Sequence, residues 1–193
     1  MDSLIYKVPV FSKDFYNVWI LFLVGSLSAS VLPLMHSVSS LAGNNLVTSM
    51  SYATAPISLM IVGTALSVVL ATSSMKYLGR KKGLMLLLST GLCACLLAAL
   101  ALEIKNFYLL CLASFLLGAL NATIHQMRFV AIEAVAEKQH ATAAAIFMSS
   151  GIIAAFLGPE VGFFGRDLFE IEFKGSFLLA ACLVFASMVS LLF

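Results

Sequence analysis

The sequence predicts an all-α membrane protein: a single domain over residues 1–193 with six transmembrane helices. Three features predict it, namely a large apolar fraction, a scarcity of charge and the even spacing of long apolar runs. Hydrophobic residues make up 62% of the chain, charged residues 10%, and the mean hydropathy is +1.06. A soluble domain carries about 25% charged residues, so this composition takes lipid as its solvent. Six spans of roughly 20 residues with short connections fit the 193-residue length. Backbone polar groups left unpaired in hydrocarbon are costly, and spans of this composition must therefore be helices.

The first apolar run covers 16–41 and contains Pro33, which is expected to bend it. Lys7 and Lys13 precede it, and Ser28-Ala29-Ser30 loosely resembles a leader cleavage site. The run continues well beyond that point, so it reads as a span rather than a removed leader. Further runs follow at 52–75, 83–102, 107–129, 140–164 and 175–193. Short polar stretches separate them: Ala42 to Asn45, Lys76 to Lys82, Glu103 to Asn106, Glu133 to His140 and Arg166 to Lys174.

With the N-terminus inside, Lys7, Lys13, Lys76, Arg80, Lys81, Lys82, Arg128 and Lys138 fall on the cytoplasmic side. Lys105, Arg166 and Lys174 fall outside. That bias follows the positive-inside rule and places both termini in the cytoplasm. A net charge of +2 gives no reason to expect a nucleic-acid partner. Cys93, Cys95, Cys111 and Cys182 all lie in apolar runs, without zinc or redox spacing, and read as packing residues. No metal and no cofactor is expected.

A repeat is visible inside the chain. Residues 22–31 read Phe-Leu-Val-Gly-Ser-Leu-Ser-Ala-Ser-Val, and residues 115–124 read Phe-Leu-Leu-Gly-Ala-Leu-Asn-Ala-Thr-Ile. Five positions are identical and the others are similar in size or polarity. The match pairs the first span with the fourth, which cross in opposite directions, as a three-plus-three inverted repeat requires.

Polar residues inside spans are the candidates for function. On the fourth span Ser114, Gly118, Asn121, His125 and Arg128 recur at spacings of four, three, four and three, a continuous line on one helix face. Such a line faces protein or a water-filled cavity. Asn121 and His125 are open to two readings, as cavity lining or as helix–helix hydrogen bonding. Arg128 lies near the cytoplasmic boundary, where snorkelling alone would accommodate it. The repeat pairs Ser28 with Asn121, and His36 follows two turns later on about the same face. On the fifth span Gly151, Ala155, Gly158 and Gly162 form a small-residue face suited to close helix packing, and Pro159 can bend that helix. Glu160 lies on the opposite face near the outer end, where it either reaches water or couples protons.

Several stretches resemble the major facilitator superfamily. Tyr77-Leu78-Gly79-Arg80-Lys81-Lys82-Gly83 is similar to the Gly-Arg-Lys/Arg loop after the second helix of that family. Gly158-Pro159-Glu160-Val161-Gly162 resembles its fifth-helix Gly-Pro-x-x-Gly element. Gln126-Met127-Arg128-Phe129-Val130-Ala131 is similar to a Gln-x-Arg-Phe-Ala-Ala stretch of bacterial members. The resemblance covers the N-terminal six of the usual twelve helices. It implies half of a major-facilitator-type fold, with Ser28, His36, Asn121, His125, Gln126 and Arg128 as cavity candidates. It also implies alternating-access transport of a small solute across a bacterial cytoplasmic (inner) membrane, with lipid around the bundle. The second bundle would be another copy of this chain or a separate C-terminal six-helix half. Where the family loop has a glycine and a latching carboxylate, this chain has Thr72 and Lys76, and Lys76 cannot form that pair. Arg80-Lys81-Lys82 can also be read as a topology anchor on anionic headgroups.

The sequence ends inside the sixth apolar run, at Leu191-Leu192-Phe193. A truncated or split half-transporter, inactive alone, is therefore a second expectation, and a non-transporting membrane scaffold a third. No His-Glu-x-x-His pattern and no intramembrane aspartate pair is present, so the chain is not expected to be an enzyme.

Overall fold

The computed structural model describes residues 15–46 and 54–193, with side chains of 39–46 left aside. Among the described residues seven α-helices follow in order: α1 (Tyr16–Ala29), α2 (Val31–Leu46), α3 (Ala55–Leu78), α4 (Arg80–Glu103), α5 (Phe107–Glu133), α6 (His140–Arg166) and α7 (Lys174–Ser190). A 3₁₀ turn, Glu137–Gln139, leads into α6. No strand occurs among the described residues. Among the described residues, five helical segments are long and apolar enough to cross a membrane: Tyr16–Val38, Ala55–Leu78, Arg80–Glu103, Phe107–Glu133 and Glu137–Arg166. The helix α7 is also apolar but shorter, at 17 residues.

The first apolar run is two helices, and the interruption falls at Ser30 rather than at Pro33. Pro33 has no N–H to donate to the carbonyl of Ala29, and its ring crowds that carbonyl. The break therefore appears one turn before the proline. The polar stretch Ala42 to Asn45, expected to be a connection, continues as helix to Leu46. Between α3 and α4 the only non-helical residue is Gly79, at φ 82°, a conformation that favours glycine. Asn106 caps α5, its side-chain oxygen accepting from the Leu109 N–H at 3.1 Å.

The packing has the symmetry of the repeat. Under exchange of span 1 with 4, 2 with 5 and 3 with 6, the α3–α5 pair maps onto the pair of α1–α2 with α6. Both pairs are extensively packed. The contacts α4–α5 and α1–α7 exchange likewise, and α4–α7 maps onto itself. The apolar core runs through Leu88, Ala98, Leu117, Leu120, Phe177 and Val184, all buried.

The closest approach is between α3 and α5. A Cβ on Gly118 would overlap the backbone of Gly63 and Thr64, and one on Gly63 would overlap the Phe115 carbonyl. At the other end of the bundle Gly165 and Gly175 allow α6 and α7 to meet backbone to backbone, and the Ser176 hydroxyl donates to the Gly162 carbonyl at 2.6 Å.

Candidate functional site

The polar line of α5 does not form one surface; its residues are shared between two neighbours. Ser114 is fully buried and its hydroxyl donates to its own helix, at the Leu110 carbonyl (2.8 Å). Gly118 is the crossing point with α3. Asn121 is partly buried and donates from Nδ2 to the Thr64 hydroxyl on α3 at 3.2 Å. One and a half turns on, Gln126 donates from Nε2 to the Thr72 hydroxyl, also at 3.2 Å. Asn121 lies 12 residues before the end of α5, or ~18 Å along a helix rising 1.5 Å per residue. A polar bridge at that depth has no water at the helix ends to turn to.

His125 and Arg128 turn the other way. Both are exposed and line a cavity of ≈ 410 Å³ between α1, α5 and α6, which Ala29, Phe129, Phe147 and Ser150 also border. The Arg128 guanidinium lies 5.3 Å from the Phe129 ring centroid. Ser150 is 3% exposed, and its hydroxyl makes no hydrogen bond to another described residue. Gly151, beside it, has open space where a side chain would be.

Ser28 is placed differently from the expectation. It is fully buried, its hydroxyl donating to the Val24 carbonyl at 2.7 Å, and it lines no open surface. His36 is exposed, so the two do not share a face. Ser30 keeps helical dihedrals (φ −63°, ψ −20°), and eight residues of α-helix by themselves turn His36 about 80° away from Ser28. On α6 the packing face is also re-phased. Gly151 and Ala155 are exposed, whereas Ala154, Gly158, Gly162 and Gly165 are buried. A Cβ at Gly158 would overlap the Ser30 carbonyl oxygen, so α6 rests on the interruption of the first span. Pro159 sits inside an unbroken α6, and Glu160 is exposed beside Phe156 and Phe163 on its outward side.

One end of the bundle is basic, carrying Lys76, Arg80, Lys81, Lys82 and Lys138. There Arg80, at the start of α4, is ion-paired with Glu133 at the end of α5. Lys81 donates to the Leu192 carbonyl at 2.7 Å. A cavity of ≈ 340 Å³ bounded by Thr72, Lys76, Arg80, Gln126, Phe129 and Glu133 lies under this pair. The opposite end is closed by Lys174 with Glu103 at 3.1 Å and by Arg166, whose Nε donates to Glu172 at 2.7 Å.

No family model matches the chain. Among curated proteins it is similar to the riboflavin transporter RfnT of Brucella anthropi, 32% identical over 168 residues, which is 86% of this chain and 42% of that protein. It is also similar to the uncharacterized MFS-type transporter YddS of Bacillus subtilis, 28% identical over 165 residues, 81% of this chain and 37% of that protein. Both are transporters and the match runs through most of the bundle. The chain is therefore similar, over most of its length, to transporters of the major facilitator type. It spans about two fifths of the length of each relative.

Two structural residues of this chain have no signal of their own in the sequence pattern. Glu133, at the end of α5, supplies the carboxylate that pairs with Arg80. Gly63 is the partner of Gly118 at the α3–α5 crossing. A lone glycine in an apolar run carries no pattern of its own. Only the small residues at Gly63 and Ser67, four apart and both buried on α3, hinted at a close contact there.

Proposed function

We propose that this bundle is one wall of an alternating-access transporter that moves a small solute across a bacterial cytoplasmic membrane. The observation that carries the reading is the division of the α5 polar line. Asn121 and Gln126 fix α5 to α3, while His125 and Arg128 open onto the cavity beside α1 and α6. Intramembrane polar groups persist where they are paired or where they line a pathway, and here both uses occur on one helix.

A single bundle encloses a pathway on one side only. The other wall is a second six-helix bundle, whether from further polypeptide, a separate C-terminal half or a second copy of this chain. Transport then consists of the two bundles rocking about the solute. The basic end faces the cytoplasm, with both termini of the domain on that side. Because one similar protein is a riboflavin transporter, riboflavin is the first solute to test.

Uptake of radiolabelled riboflavin into proteoliposomes, with the second bundle supplied, tests the reading. The expected result is saturable uptake above empty liposomes, lost in Asn121→Leu although that variant inserts and assembles. Undiminished uptake in that variant would remove Asn121 from the pathway.

A further inference from the structure

We propose that the cavity between α1, α5 and α6 binds a planar aromatic solute by an oxygen-bearing acceptor edge, held by Arg128, His125 and Ser150. This names a solute chemistry for the pathway and so rests on the transport reading, but its binding step can be measured without flux.

The cavity offers positive charge and no negative charge. No carboxylate borders it, and its charged or chargeable groups are a guanidinium and an imidazole. Arg128 can only donate hydrogen bonds. A cation would find no counter-charge there, whereas a carboxylate or a carbonyl edge would find a forked donor matched to its geometry.

Ser150 supplies the second, independent observation. Buried serine and threonine hydroxyls in this bundle usually donate to a backbone carbonyl one turn back on their own helix. Ser26, Ser28, Ser114 and Thr123 all do so, at 2.7–2.8 Å. Ser150 is equally buried, makes no such bond among the described residues and borders the cavity. A buried hydroxyl without a partner is costly, and a bound acceptor would satisfy it.

The body of the solute follows from the walls. Phe129 and Phe147 contribute rings, Ala29 a small apolar surface, and Gly151 leaves open space beside Ser150. Aromatic walls of this kind favour a flat ring system over a branched or fully polar one. The ≈ 410 Å³ volume accommodates a solute of a few fused rings.

Equilibrium binding to the chain in lipid nanodiscs tests the proposal. The probes are 1-naphthoate, an aromatic anion, and 1-naphthylmethylammonium, an aromatic cation of the same size. The expected result is saturable binding of naphthoate and at least tenfold weaker binding of the cation. Arg128→Gln should weaken naphthoate binding roughly 10- to 100-fold, as expected for a charge-assisted hydrogen bond. Ser150→Ala should weaken it by a smaller factor, and thermal melting of each variant reports whether the bundle is intact. Naphthoate binding that is absent, or equal in Arg128→Gln, or no tighter than that of the cation, would overturn the site. Binding with these properties but no solute uptake in proteoliposomes that also contain the second bundle would uphold the site and overturn the transport reading instead.

Discussion

At the residue scale, the spacing of polar side chains on α5 was legible, but the surface each one meets was not. A 3.6-residue repeat puts Ser114, Gly118, Asn121, His125 and Arg128 along one stripe. A stripe is wide enough to be divided between two neighbouring helices, and α3 takes Gly118 and Asn121 while the cavity takes His125 and Arg128. The Asn121–Thr64 contact should behave as an interhelical hydrogen bond in a membrane, worth about 0.6 to 2 kcal/mol. A double-mutant cycle with Asn121→Leu and Thr64→Val, read by unfolding in mixed micelles, should return a coupling in that range. Additivity of the two substitutions would show that the pair is not coupled. Ser28 gives the opposite expectation. Because its hydroxyl serves only the Val24 carbonyl, Ser28→Ala should leave solute binding within about twofold of the original and cost at most ~1 kcal/mol. A large loss of binding would mean that Ser28 faces the solute in another conformation.

At the element scale, long apolar runs separated by polar clusters fixed where the helices lie, because hydrocarbon allows little else. What the runs could not show is where a helix is interrupted or which face of it packs. Pro33 signalled a bend, yet its effect is felt at Ala29 and Ser30, since the bond it removes lies one turn earlier. The α3–α5 crossing depends on two glycines, only one of which belongs to a visible pattern. Gly118→Leu or Gly63→Leu forces backbones apart and should cost at least the 1–3 kcal/mol typical of overpacking. Loss of a monodisperse species after detergent extraction is the expected outcome. Gly151→Ala, at a site with open space around it, is the matched control and should extract normally. If the two crossing variants extract as well as this control, α3 and α5 do not touch at those residues.

At the scale of the whole molecule, the inverted repeat was legible in ten residues, and the exchange of helix contacts extends it to the full bundle. The clustering of basic residues at one end was also legible, since it requires only counting. The Arg80–Glu133 pair was not, because its partners are 53 residues apart and meet only when α4 packs on α5. Each member is about half exposed, so Glu133→Gln should change stability by no more than ~1 kcal/mol. A much larger loss would indicate that the pair locks the end of the bundle rather than decorating it.

The orientation of the bundle in the membrane underlies every functional statement made of it. Single cysteines placed at Lys81 and at Arg166, with the four native cysteines replaced, can be treated in intact cells with a membrane-impermeant maleimide. Labelling of the Arg166 position in intact cells, and of the Lys81 position only after permeabilisation, is the predicted result. The reverse pattern, or labelling of both positions in intact cells, would contradict a bundle that spans the membrane with its basic end inside.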